Sequence, residues 1–281
     1  MTQKIMAIGS HADDIEAHLG GTLAKYHAAG YEVVYVMSTN NMSGVAQELR
    51  GDGSITQTKE TPLPMMKRRK RECDEAAALL GTRPIHLDHP QRHYWAADGS
   101  QPEVRFGCPL PEGVAENVPT ILTAHEDKVS RKRMADLIRE YDPACIFTHG
   151  LATSNIEHVG TCFLVTESYW EAVEDGYKGA LLYWHEDYTR FGPSNEKWDT
   201  FIDISDHLDR KMAILGKHAC QMPTAHLPEH GHRLRSLKWG VICGCKAAEV
   251  FTWVARDRRP DLDATVGSYS PLLAELTQHS K

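Results

Sequence analysis

The segment from Lys4 to Asp14 constrains the architecture more than any other part of the chain. Lys4-Ile5-Met6-Ala7-Ile8-Gly9 is a short apolar run ended by glycine, which predicts a buried strand. Ser10-His11-Ala12-Asp13-Asp14 follows as a polar loop. Ile15, Leu19, Leu23 and Tyr26 then recur at helical spacing up to Ala29, with Gly30 as a stop. Tyr31–Met37, rich in β-branched and aromatic residues, predicts a second strand. Such a strand–loop–helix–strand opening favours parallel pairing, because the helix carries the chain back to the same end of the sheet.

The rhythm continues. Helices are expected over Lys67–Leu80, Val129–Tyr141, Glu157–Val173, Ser205–Lys217 and Leu234–Ala247. Strands are expected at Pro84–Leu87, Ala144–Thr148, Ala180–Trp184, Phe201–Ile204 and Glu249–Trp253. The predicted class is therefore α/β: three layers, with a mainly parallel sheet and helices on both faces. Two stretches, about 40–64 and 90–125, lack periodicity and read as long loop insertions. Both follow the C-terminal ends of predicted strands, where open α/β sheets bind ligands. With no linker or repeat in sight, residues 1–281 read as one domain.

Composition removes several classes. No apolar run approaches the ~20 residues of a membrane span. The first residues, Met1 to Ile5, lack a signal peptide's apolar stretch. The net charge is −7, and the one basic run, Lys67–Arg71, reads as the solvated start of a helix, so no nucleic-acid partner is expected. Seven cysteines, an odd number, point to reduced thiols and a cytoplasmic setting. Cys243-Gly244-Cys245 reads as structural rather than as a metal knuckle.

The chemistry starts with His11-Ala12-Asp13-Asp14. An imidazole and two carboxylates in one short loop suit a borderline divalent ion such as zinc. One carboxylate would bind the ion while the other takes a proton from activated water. The spacing alone fits equally well an Asp-Asp helix cap beside an incidental histidine. A zinc site needs a third ligand from the same sheet edge. His158, in Ser154-Asn155-Ile156-Glu157-His158 after the strand Ala144–Thr148, is the first candidate and His149 the second.

Together these residues resemble the PIG-L/LmbE-like zinc deacetylases. The strand followed by Gly9-Ser10-His11-Ala12-Asp13-Asp14-Ile15-Glu16 and by Leu19-Gly20-Gly21-Thr22-Leu23 is similar to the family's opening. Val36-Met37-Ser38-Thr39, Arg69-Lys70-Arg71-Glu72, Asp142-Pro143 and Thr148-His149 follow in order. So do Asp203-Ile204-Ser205, Lys211, His218-Ala219-Cys220-Gln221 and Ala248-Glu249-Val250-Phe251. The resemblance covers about residues 4–254. It implies a Rossmann-like fold, a Zn2+ ion on His11, Asp14 and His158, and Asp13 as general base. It also implies substrate contact by Arg69, self-association, and removal of an N-acetyl group from a glucosamine-type molecule.

The chain departs from the family pattern at three points. Ala12 replaces proline and Ile15 replaces an acidic residue. Asn155 stands where the family has a histidine three residues before the ligand; it can assist an oxyanion but cannot donate a proton as an acid. His218 is the candidate acid for the leaving amine, the alternative being a packed helix histidine. Arg92 and Trp95, beside His86, His89, His93 and Tyr94, suit a sugar platform or ordinary loop packing. Asn40-Asn41-Met42-Ser43-Gly44 lies where, by the resemblance, the family's second loop approaches the site, so Asn40 or Asn41 is expected to touch substrate. His226, His230 and His232 follow no strong metal template. The resemblance also extends to thiol-conjugate amidases and to a hydratase of an unsaturated dicarboxylic acid, which implies two alternatives to deacetylation; Arg69, Arg92 and Arg105 could grip the carboxylates of the second. A binding module without activity is less consistent with an intact base beside an intact metal site.

Overall fold

Strand β1 (Lys4–Gly9) lies inside the main sheet and alternates its side chains between two cores. Ile5 and Ala7 enter one core, Met6 and Ile8 the other. This is a computed structural model that describes residues 2–105, 109–116, 118–186, 198–254 and 268–269. Along the chain, α1 (Asp14–Ala28), β2 (Glu32–Thr39), β3 (Val45–Leu49), β4 (Ile55–Lys59), α2 (Pro62–Ala78) and β5 (Ile85–His89) come first. Then follow α3 (Lys128–Tyr141), β6 (Cys145–His149), α4 (Ile156–Glu174), β7 (Ala180–Trp184) and β8 (Thr200–Asp203). A 3-10 turn (Ser205–His207) leads into α5 (Leu208–Leu215), α6 (Gly231–Cys243), β9 (Ala248–Trp253) and β10 (Ser268–Tyr269).

The main sheet has the order β10-β8-β9-β7-β6-β1-β2-β5. Strands β5, β2, β1, β6 and β7 run parallel, while β9 is antiparallel to β7 and β8, and β10 to β8. Residues of α1 and α2 (Leu19, Leu23, Cys73, Ala77) pack on one face. Residues of α3 and α4 (Met134, Ile138, Leu164, Tyr169) pack on the other. The expected three-layer α/β class is what the structure has. Because β1 pairs with β2 on one side and β6 on the other, the loops leaving β1 and β6 open side by side. That is the crevice where such sheets take ligands.

Two expectations change. The stretch 40–64 is not a plain loop: β3 and β4 form an antiparallel hairpin, with Gln47 opposite Gln57. Its strands are polar and largely outside the core, so no apolar alternation marks them. Helix α2 begins at Pro62, earlier than expected, because proline is tolerated in the first turn. The Lys67–Arg71 run is therefore helix interior, and Arg69 is only 4% exposed. Within 90–125 the described residues form turns and one isolated bridge between His93 and Glu103. Among the described residues, no helix is long and apolar enough to cross a membrane.

The helix that follows the first loop is braced from below. A Cβ on Gly21 would sit 2.5 Å from the Ile204 side chain, so glycine permits the close approach. The amides of Gly21 and Thr22 donate to the Glu249 carboxylate at 3.0 and 2.7 Å. Lys211 Nζ, buried, donates to the same carboxylate at 2.7 Å and to Ser236 Oγ at 3.1 Å. Removing one partner of a buried pair strands the other charge. Glu249→Ala is expected to destabilise the fold by about 3–5 kcal/mol in urea denaturation. Adding Lys211→Met should cost much less than it does alone, because the stranded ammonium is then gone.

Candidate metal centre and active site

Asp13 stands at the N-cap position of α1, but its side chain makes no capping hydrogen bond. Its backbone has φ 111°, a conformation rarely adopted outside glycine. Ala12 is held at both of its peptide groups. Its N–H donates to Asn41 Oδ1 at 2.7 Å, and its carbonyl accepts from Arg69 Nη2. The same Arg69 nitrogen lies 3.4 Å from Asp13 Oδ2. The helix-cap alternative is thereby set aside: this loop is clamped to present Asp13 to a cavity.

Beside it, His11 Nδ1, His158 Nε2 and Asp14 converge. His11 Nδ1 is 3.1 Å from His158 Nε2 and 3.3 Å from Asp14 Oδ2, and His158 Nε2 is 3.4 Å from Asp14 Oδ1. An ion bonded tetrahedrally at about 2.0–2.2 Å would hold its ligand atoms roughly 3.3 Å apart. The far side of each imidazole is fixed by a buried glutamate. His11 Nε2 is 2.7 Å from Glu157 Oε2, and His158 Nδ1 is 2.7 Å from Glu186 Oε2. With those donations made, His11 Nδ1 and His158 Nε2 face each other at 3.1 Å, a contact that one shared proton or a bound cation would satisfy. The donor set therefore fits a divalent metal ion.

The electrostatics agree. Burial disfavours a charged His11, yet Asp14 and Glu157 outweigh it and raise its pKa to about 10. A position that holds a proton this firmly favours a metal cation too. Burial would likewise raise Glu157, but the hydrogen bonds from His11, Gln91 and the Arg92 amide bring it down to about 2. The two adjacent aspartates separate. Burial pushes Asp13 up to about 6, against the pull of Arg69. Asp14 is also desolvated, but His158, His11 and His149 hold it well below the usual carboxylate range.

His149 is not in the converging trio. Its Nε2 accepts from the Ser10 amide at 2.9 Å, and its Nδ1 meets Glu186 Oε1. A second grouping of His149, His158 and Glu186 is thus already closed by its own hydrogen bonds. Neither potential ligand grouping among the described residues includes His226, His230 or His232. His230 and His232 instead pack on each other, and His232 packs edge-on against His18.

The cavity over the trio measures about 480 Å³ and is lined by Asp13, Arg69, Arg92 and Asn155, among others. Asn155 also caps α4 through its Oδ1, which accepts from the Glu157 amide at 3.0 Å. Three expected contributors lie elsewhere. Asn40 lines a separate cavity of about 240 Å³, and its Oδ1 accepts from the Met42 amide; Asn41 is the one whose side chain reaches the loop after β1, at Ala12. Trp95 lies under the Lys59 ammonium, 3.9 Å from its ring centre, and not on the main cavity wall. His218 does not line the wall: it is fully buried with Nε2 3.0 Å from Glu16 Oε2, yet it is near enough for its charge to act on Asp13. Glu157 and Glu186 were missed. The signal was weak but present: Glu157 adjoins a ligand candidate, and Glu186 lies just past the end of a parallel strand.

Residues 6–169 match the family model for PIG-L, described as GlcNAc-PI de-N-acetylase. The chain is similar to the mycothiol S-conjugate amidase of Streptomyces coelicolor, at 30% identity over 112 residues, 39% of this chain and 34% of that protein. The alignment thus spans about a third of that relative's length. Among solved structures it resembles the N,N'-diacetylchitobiose deacetylase of Pyrococcus horikoshii. The TM-score is 0.60 at 20% identity, covering 90% of this chain and 84% of that one. It also resembles the 4-carboxy-2-hydroxymuconate hydratase of Pseudomonas putida KT2440. There the TM-score is 0.63 at 19% identity, covering 90% of this chain and 97% of that one. At these identities the likeness is one of fold.

The glutamates behind the two histidines give a direct test. Glu157→Gln and Glu186→Gln should each weaken metal affinity by roughly 10- to 100-fold, measured by competition with a chromophoric chelator. Unchanged affinity in both would remove these carboxylates from the metal centre.

Proposed function

The chain belongs to the PIG-L de-N-acetylase family, and from that premise we propose that it is a zinc-dependent hydrolase removing an N-acetyl group from an acylated amine of the N-acetylglucosamine type. The observation that carries this reading is the convergence of His11, Asp14 and His158 beside a clamped, desolvated Asp13. An ion held by His11 Nδ1, Asp14 and His158 Nε2 would polarise the amide carbonyl and acidify a water.

The remaining steps belong to side chains. Asp13, with its carboxyl brought towards neutrality by burial, accepts the proton of the attacking water. Arg69 keeps Asp13 and the Ala12 carbonyl in place. The Asn155 amide, on the cavity wall, offers a donor to the oxygen that gains charge. Return of the proton to the leaving amine is assigned to Asp13, because His218 does not line the cavity. Six described cysteines are free, in keeping with the cytoplasmic setting we assign.

A second reading, hydration of an unsaturated dicarboxylic acid, draws support from Arg92 on the cavity wall. Arg105 does not add to it, since its guanidinium pairs with Glu103 at 2.6 Å.

Acetate release from a panel of N-acetylated sugars and thiol-sugar conjugates tests the proposal. Asp13→Asn should retain one zinc per chain and lose roughly 10²- to 10⁴-fold in turnover, whereas His11→Ala should lose the metal. No acetate from any member by protein carrying one zinc per chain would sink the deacetylase reading. Full turnover by Asp13→Asn would sink the assigned base.

A further inference from the structure

The wall of the main cavity is polar almost throughout. Besides the metal-binding trio, Asp13 and Arg69, it presents Gln91, Arg92, His93, Asn155 and Gln221, and Met222 is its one large apolar side chain. No Phe, Tyr or Trp ring lines it among the described residues. A neutral sugar bound by stacking on an aromatic face would find none there.

The charges on this wall are committed, with one exception. Asp14 faces His11 and His158. Glu157 accepts from His11, Gln91 Nε2 and the Arg92 amide. Asp13 faces Arg69, and Arg69 is also spent on the Ala12 carbonyl. Arg92 differs. Its backbone N–H donates to Glu157 Oε1 at 2.7 Å, which anchors the residue one carboxylate away from His11. Its side chain is exposed, and among the described residues its guanidinium makes no hydrogen bond or ion pair, though it interacts at longer range with Glu103. A free, planar, bidentate donor at the mouth of a cavity otherwise rich in carboxylates is a ready counter-charge for an anion.

We infer that the substrate carries an anionic group, a carboxylate or a phosphate, close to the scissile amide, and that Arg92 is the residue that selects it. This rests on the amide-hydrolase reading above and narrows its substrate class. A small acylated amino acid or a phosphorylated acylamino sugar meets the requirement. The same guanidinium would hold one carboxylate of a dicarboxylic acid.

The test uses the zinc-loaded full chain and pairs of N-acetylated amines matched except for charge. One pair is N-acetylglucosamine and its 6-phosphate; the other is N-acetylalaninamide and N-acetylalanine. The anionic member of at least one pair should have the higher kcat/KM, by roughly ten- to hundredfold, the range of a charge-assisted hydrogen bond. Which pair responds tells phosphate from carboxylate. Arg92→Gln should collapse that ratio towards one, acting through KM. Arg83→Gln, an equal change of net charge at an exposed position outside the cavity, should leave the ratio intact. Equal rates within both pairs, or a ratio untouched by Arg92→Gln, would overturn the inference.

Calorimetric binding of the same four compounds separates this outcome from failure of the amide reading. If no acetate is released yet the anionic members bind and Arg92→Gln abolishes it, the anion site stands and the amide chemistry falls. If neither anionic member binds more tightly than its neutral partner, the anion site falls.

Discussion

Burying several ionisable groups at one sheet edge is tolerable only if each charge meets its opposite, and the site is organised by that requirement. Glu157, His11, Asp14, His158, Glu186 and His149 form a continuous chain of short contacts ending on the Ser10 amide. Its members come from the loop after β1, the end of β6, the first turn of α4 and the segment just past β7. Loss of one link leaves a desolvated charge without its partner. The cluster therefore fastens these elements together as well as preparing the site for an ion. Parallel pairing of β1 with β6, and of β6 with β7, brings all of those strand ends to the same edge.

The chain's departure from the family's proline at position 12 has a physical counterpart. Proline would stiffen the loop but has no N–H. Ala12 has one, and it is spent on Asn41 Oδ1, while Arg69 takes the carbonyl of the same residue. Of these, the bond to Asn41 is the one a proline could not make, and it restrains the loop in place of the ring. Further back, the Gly20-Gly21 pair, Lys211 and Glu249 form one buried arrangement. It holds α1 against β9 and α5, and so fixes the helix whose first turn carries Asp14. Motif positions far from the reacting atoms thus serve the site by fixing the helix that carries it.

What the sequence reveals depends on whether periodicity or pairing carries the information. The main-sheet strands through β9 and the helices follow apolar spacing, and their positions are legible to within a few residues at most ends. The two-residue β10 and the β3–β4 hairpin are not, the latter because its strands are polar and lie off the core. His11, Asp14 and His158 are legible through motif spacing and shared strand ends. Glu157 and Glu186 are harder to see, since a carboxylate's role behind an imidazole depends on a hydrogen bond across the fold. Trp95 misleads for the same reason: composition places an aromatic near the site, but the hairpin's Lys59 occupies its face.

The adjacent aspartates show how one short loop obtains two chemistries from one residue type. Asp14 faces three imidazoles, and His158, His11 and His149 hold it well below the usual carboxylate range despite its burial. Asp13 sits on a backbone of positive φ, where Arg69, with smaller help from His218 and His11, only partly opposes its desolvation. That difference of surroundings is what the proposed division between a metal ligand and a proton acceptor would use, and it is blind to whether the substrate is an amide or an alkene. Discrimination between substrates must then come from the rest of the wall. Arg92 and His93 lie on the loop after β5, and Gln221 is tied to the hairpin by its hydrogen bond to the Val45 carbonyl. These are the parts of the chain with the least periodic sequence. The side chains of Arg92, His93 and Gln221 can change without disturbing the sheet, provided Gln91 and the Arg92 amide keep their hydrogen bonds to Glu157.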